Sequence, residues 1–271
     1  MRIRIGYQID YELTQATPMI VNLNVHYSRI SDLEHPDSMT TEPSVPYTSY
    51  RDGFGNWCNR LTAPAGNFRI RADAVVRDPG TLDLVPYGAV QHEVQDLPDE
   101  TLVYLLGSRY CETDELSDFA WDRFGSLAPG WDRVQAVNEF VHRHIRFDHE
   151  QARPTKTARD ALQEAAGVCR DYAHLGLTLC RALNIPARYC TGYLSQIGTP
   201  MTDPTDFSGW FEVFLSGQWF TVDPRNFDPR VGRVLVARGR DAADVALITT
   251  FGPNVLQSFE VWTDLLPDGS G

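Results

Sequence analysis

The stretch GVCRDYAHLGLTLCRALNIPARYCTGYL, residues 167–194, constrains the fold more than any other segment. It opens as a strongly apolar helix, GVCRDYAHLGLTLCRALNI, and passes directly into a strand, PARYCTGYL. Two more strands follow in WFEVFLSGQWFTVDP, joined by a Ser-Gly turn and ended by Asp-Pro. A helix that feeds strands joined by tight turns packs on an antiparallel sheet. Upstream, PGWDRVQAVNEFVHRHIRFD sets Trp131, Val134, Val137 and Val141 at helical spacing. ELSDFAWDRFG reads as a short helix ending in glycine, and LPDETLVYLLGSRYC as one entered through a proline. The start of the chain has another period. RIRIGYQIDYEL, VNLNVHYS and FRIRADAVVRD alternate every second residue, and RDGFGNWCNRL carries Asp-Gly and Gly-Asn turn signals. VGRVLVARGRDAADVALITTFG reads as strand, turn and strand, with VLQSFEVWTDL closing the chain. The expected fold is α+β. An antiparallel β-rich domain spans 1–95, and a core of helices on an antiparallel sheet spans 96–271.

Charge excludes some functions. A net charge of -12 and a pI near 4.9 argue against nucleic acid and anionic membrane as partners. No run reaches the roughly 18 apolar residues of a membrane-crossing helix, and the alternating N-terminus does not read as a signal peptide. The expected location is cytoplasmic, where cysteines stay reduced.

The cysteines stand at 58, 111, 169, 180 and 190, with no CxxC pair and no Cys/His cluster, so neither metal nor cofactor is expected. Cys180 and Cys190 fit buried positions in the helix and the strand, and Cys58 and Cys111 read the same way. Cys169 differs because it opens the apolar helix. Free backbone N–H groups and the positive end of the helix dipole favour its thiolate, and the same N–H groups can hold an oxyanion. From these residues alone Cys169 is either a nucleophile or a packed cysteine at a helix start.

GVCRDYAHLGLTLCRALNIPARYCTGY resembles the nucleophile helix and following strand of the transglutaminase-like superfamily, cysteine enzymes of papain-like fold. The likeness lies in the Gly-x-Cys-x-Asp-x-Ala opening and the Ile-Pro-Ala-Arg strand entry. WFEVFLSGQWFTVDP resembles the hairpin that carries the rest of that family's triad, and the β-rich start is similar to bacterial members with an N-terminal β domain. The resemblance implies Cys169 as nucleophile and Asp223 as the acid that orients the base. The family's histidine stands two residues before the hairpin tryptophan, in a His-Ala-Trp pattern. This chain has Ser208, Gly209 and Trp210 there.

A triad histidine takes the thiol proton and later protonates the leaving group. A helix N-terminus partly replaces the first task. The second matters most for an amine; a thiolate, with a pKa of ~8.5, leaves unaided. A cysteine enzyme with Ser208 should therefore favour thioesters over amides. His174 falls on another helix face from Cys169, and His142, His144 and His149 precede the nucleophile helix; these read as core or solvated residues, like His26 in a strand and His35 in a loop. Asp223 is itself a candidate weak base through a water, which Ser208 would hold. Asp171 reads as a local cap and Glu212 as a support for the hairpin. Trp210, Trp219 and Tyr172 read either as packing or as walls of an acyl pocket. Arg225, Arg230, Arg233, Arg238 and Arg240 form either a solvated ion-pair surface or a patch that docks a phosphopantetheine arm or an acidic carrier protein.

The expected function is acyl transfer through a Cys169 acyl-enzyme, formed from a small-molecule or carrier-bound thioester. Transfer, release or Dieckmann-type cyclisation in a biosynthetic pathway would resolve it. The alternatives are an amide-directed protease or transglutaminase with a base from elsewhere, and an inactive binding module.

Overall fold

The computed structural model of the protein describes residues 1–195, 197 and 207–267. Six strands come first: β1 (Arg2–Leu13), β2 (Thr17–Val21), β3 (Thr40–Glu42), β4 (Tyr47–Arg51), β5 (Trp57–Ala63) and β6 (Gly66–Arg77). Helices α1 (Asp99–Leu102), α2 (Thr113–Phe124) and α3 (Trp131–His144) follow. β7 (Arg146–Phe147), α4 (Ala158–Glu164) and β8 (Ala166–Gly167) lead into α5 (Cys169–Ala182). The chain continues with β9 (Ala187–Leu194), β10 (Phe207–Leu215), β11 (Gln218–Val222), β12 (Arg233–Gly239), β13 (Ile248–Thr250) and β14 (Asn254–Leu266). The fold is α+β, with α5 packed on the four-stranded antiparallel sheet β11-β10-β9-β12.

Two other four-stranded sheets, β14-β1-β6-β3 and β13-β2-β5-β4, form the β layer. Their alternation carries the core: Ile3, Ile5 and Ile9 of β1 and Phe68, Ile70 and Val76 of β6 are buried, with arginines between them facing outward. The sheets cross the expected boundary at residues 95 and 96. β14 pairs with β1 from Arg2↔Leu266 to Leu13↔Asn254, and β13 pairs with β2. Local pattern marks such strands but cannot name their partners. The β layer also covers the outer edge of β12, where Leu235 O accepts from His26 N at 2.9 Å and Arg238 O from Asn56 Nδ2 at 2.8 Å.

Two segments differ from their local patterns. Residues 22–26 are not strand, because other groups take their hydrogen bonds: Asp37 Oδ2 accepts from Val25 N at 2.6 Å, and His26 N bonds β12. His26 instead caps a 3-10 turn over Tyr27–Asp32. After α1 only a 3-10 turn, Val103–Leu105, continues the helical pattern. Asp241 Oδ2 accepts from Tyr110 N at 2.8 Å, Arg181 Nη1 of α5 donates to Leu106 O at 3.1 Å, and Ser108 and Cys111 exchange backbone bonds in a tight bridge, so this stretch forms a turn pinned to its neighbours instead of a helix.

Helix α5 begins where Asp171 Oδ2 accepts from Val168 N at 2.9 Å. It ends at Asn184, left-handed at φ 63°, just before Pro186. Gly176 lets it press on β10: a methyl group there would lie 2.6 Å from Phe211 Cε1. Gly176→Ala is therefore expected to destabilise the protein by about 1–3 kcal/mol through overpacking, read as a lowered Tm. An unchanged Tm would mean that the contact between α5 and β10 is loose.

Candidate active site

Burial separates the thiols. Cys58, Cys111, Cys180 and Cys190 are buried, and burial pushes each thiol up, that of Cys111 to about 11. A thiol held protonated is a poor nucleophile. Cys169 is the partly exposed member of the five.

Cys169 is the first residue of α5. At about 100° per residue it shares one stripe of the helix with Ala173, Gly176 and Cys180, and Gly176 fixes that stripe against β10. β9 returns along α5 from the helix C-terminal end, and β10 runs back beside it in register from Phe207↔Tyr193 to Val213↔Ala187. The Ser208–Gly209 end of β10 thus lies toward the N-terminus of α5, where Cys169 is. On the other side, β7 and β8 pair in parallel, Phe147 opposite Gly167, with Asp148 N donating to Gly167 O at 2.9 Å. The Arg225 guanidinium lies 4.0 Å from the centre of the Phe147 ring.

Strand alternation divides the residues of β10. Gly209, Phe211 and Val213 share the row facing α5. Ser208, Trp210 and Glu212 share the other. Trp210 is 1% exposed, clustered with Cys190 and Leu235, and the Arg233 guanidinium lies 4.5 Å from its ring centre. Arg233 Nη2 donates to Asp223 Oδ2 and to Asp83 Oδ2, each at 3.0 Å. Asn226 adds two bonds to Asp223: its N to Oδ1 at 3.1 Å and its Nδ2 to Oδ2 at 2.8 Å. Asp223 is thus a fixed, buried carboxyl group one step past the Phe211↔Val222 pair, which puts it opposite Trp210 in the row that also holds position 208. Ser208 is partly exposed, and its carbonyl accepts from Thr191 Oγ1 at 3.1 Å.

Among the described residues no histidine bonds Asp223. His174 is fully buried: Nε2 accepts from Ala242 N at 3.1 Å, its ring stacks on Tyr110, and burial holds it well below the usual range, so it stays neutral. His142 Nδ1 meets Pro224 O at 2.9 Å and His144 Nε2 meets Leu162 O at 2.6 Å. His92 Nε2 accepts from Gly217 N at the far turn of the β10–β11 hairpin. His26 is buried in the β layer and held down to about 3, mainly by burial. His35 is exposed in a loop of that layer. His149 is exposed, edge-on to Phe147.

The residues expected to touch substrate fall into two groups. Trp210 and Tyr172 are 1% and 4% exposed, and the Tyr172 hydroxyl donates to Ile145 O, so both are held by packing and neither offers an open wall. Arg225 is partly exposed on Phe147, beside the ladder that leads to Cys169. Asp171 caps α5, Glu212 pairs with Arg188 at 2.6 Å, and Trp219 lies under Arg188. Arg233 and Arg240 are spent in ion pairs with Asp83, Asp223 and Asp244, and Arg230 Nη2 donates to Ser195 O at 3.1 Å. Arg233 was legible only as one arginine of a run. Asn226 and Tyr189 carry no local signal at all. A cavity of about 290 Å³ adjoins Asp223, walled by Leu84, Trp131, Val222 and Phe227, and the buried Asn138 Oδ1 in its lining has no hydrogen-bond partner. Among the described residues no three His, Cys, Asp or Glu are grouped to hold a metal ion.

A cysteine at the head of a helix packed on an antiparallel hairpin that ends in a fixed aspartate defines the class: the chain belongs to the transglutaminase-like superfamily. That superfamily's model matches residues 122–224. A proposed cysteine protease from Cytophaga hutchinsonii is similar over 100% of this chain and 92% of its own, with 30% identity and a TM-score of 0.84. An uncharacterized protein from Mycobacterium leprae (strain TN) is 37% identical over 92 residues. The matched part spans about a third of that curated relative, 32% of its length. No helix among the described residues is long and apolar enough to cross a membrane.

Proposed function

We propose that the protein is a cysteine-based enzyme that transfers acyl groups from thioesters in the cytoplasm. The Cys169 thiolate attacks the thioester carbonyl, the backbone N–H groups at the head of α5 hold the oxyanion, and the intermediate collapses with loss of the substrate thiolate. No proton has to reach that leaving group. The observation that carries this reading is Ser208 in the hairpin position of the base, with no described histidine hydrogen-bonded to Asp223 and His142, which lies beside it in the fold, bonded to Pro224 O and stacked on Phe227. The 290 Å³ cavity beside Asp223 is not lined by Cys169, so it suits a distal part of the substrate, and the unpartnered Asn138 Oδ1 suits an amide N–H placed there. A β-keto amide chain would fit both features. Its acidic methylene needs only a weak base, so a Dieckmann-type ring closure in a biosynthetic pathway is the resolution this site favours. Arg225 is the arginine best placed to meet a phosphopantetheine arm or an acidic carrier protein.

The second reading, amide cleavage, rests on His149, the exposed histidine nearest in sequence to the β7–β8 ladder. The test is intact-protein mass after brief incubation with acyl-pantetheine thioesters or with glutamine and peptide amides, using Cys169→Ala as the blank. Adducts from thioesters alone are expected. Turnover of amides that His149→Gln removes would favour the second reading. An absence of adducts from either panel would leave a binding module.

A further inference from the structure

We infer that the Tyr189 hydroxyl, seated over Gly209 and not bonded to the Cys169 sulfur in this structure, turns to donate a hydrogen bond to that sulfur when it ionises and so holds it as thiolate, in a site where no described histidine bonds Asp223. The inference rests on the reading of Cys169 as nucleophile. Tyr189 pairs with Phe211 across β9 and β10, in the row that faces α5. Its ring leans one step toward the N-terminal end of the helix, since a methyl group on Gly209 would lie 2.4 Å from the Tyr189 hydroxyl oxygen. Only glycine at 209 leaves room for the hydroxyl there. The two residues that break the His-Ala-Trp pattern are thus neighbours: one removes the imidazole, and the other admits a phenol at the same end of the sheet.

The surroundings fit a donor. Tyr189 is 5% exposed, and His174 lies against its ring at 5.0 Å between centres. Burial and the nearby Cys169 push the phenol well above its usual range, so it keeps its proton. His174 is neutral with its acceptor nitrogen engaged by Ala242, so it does not draw that proton away. In the step proposed, the thiol proton passes to water, the S–H bond breaks, and the phenol O–H stays intact while bonding the sulfur anion.

The test is the pH dependence of Cys169 alkylation by iodoacetamide, with adducts located by mass and Cys169→Ala as the blank. Tyr189→Phe keeps the ring and removes the donor. It should raise the midpoint by on the order of one pH unit, about tenfold in rate at pH 7, as expected for loss of a hydrogen bond to a charged group. Gly209→Ala, which displaces the hydroxyl, should shift the midpoint in the same direction. Adding Gly209→Ala to Tyr189→Phe should produce no further shift. If both variants superimpose on a wild-type profile with a low midpoint, Tyr189 is not the donor and Cys169 keeps its role. A wild-type midpoint near the ~8.5 of a free cysteine would overturn the thiolate itself and this inference with it.

Discussion

Ser208→His should raise the rate on amide substrates by about 10²–10⁴-fold and leave thioester turnover within a few-fold of wild type. Position 208 lies in the same row of β10 as Trp210, and Asp223, one step past the Phe211↔Val222 pair, falls opposite Trp210 in that row, held by Arg233 and Asn226. An imidazole placed there gains a carboxylate neighbour and lies at the end of the strand nearest the head of α5. It supplies the proton that a departing amine needs, which a thiolate does not need. Initial rates on an amide and a thioester of the same acyl group, with Cys169→Ala as the blank, measure the effect. An unchanged amide rate would mean that an imidazole is not what this site lacks.

Arg233→Ala should lower stability by about 3–5 kcal/mol, because it leaves a buried carboxylate without its counter-charge. The side chains of Arg233 and Asp223 are 8% and 5% exposed, and Arg233 also holds Asp83 and covers the Trp210 ring. For a chain of this size that corresponds to a Tm lower by roughly 5–10 °C. Arg233→Lys keeps the charge but loses the planar fork that reaches two carboxylates, so it should recover only part of the loss. A Tm within about 2 °C of wild type for Arg233→Ala would show that the Asp223 carboxylate is better hydrated than its burial suggests.

The catalytic half was largely legible in the sequence because its elements follow one another and bond to their neighbours in the chain. The apolar run marked α5 and the strand after it, and the Ser-Gly turn marked the β10–β11 hairpin. The β layer was legible strand by strand but not in its closure. The pairing of β14 with β1 joins the two ends of the chain, and no local pattern specifies a partner so distant. The site divided the same way. Cys169, Ser208 and Asp223 could be placed on their elements from motif spacing. The bonds that decide what Asp223 can do come from Asn226, three residues on in a turn that the motif does not specify, and from Arg233, whose guanidinium also engages Asp83 only through folding. Trp210 and Tyr172 were ambiguous for the same reason, since burial of an aromatic ring is a tertiary property.

The central claim, a cysteine nucleophile suited to leaving groups that need no proton, is tested most directly by kcat/KM for a thioester and an amide bearing the same acyl group on the wild-type enzyme. The expected result is Cys169-dependent turnover of the thioester with the amide at the level of the Cys169→Ala blank. Comparable Cys169-dependent turnover of both would contradict it and show that the protein has a proton donor for amines despite Ser208.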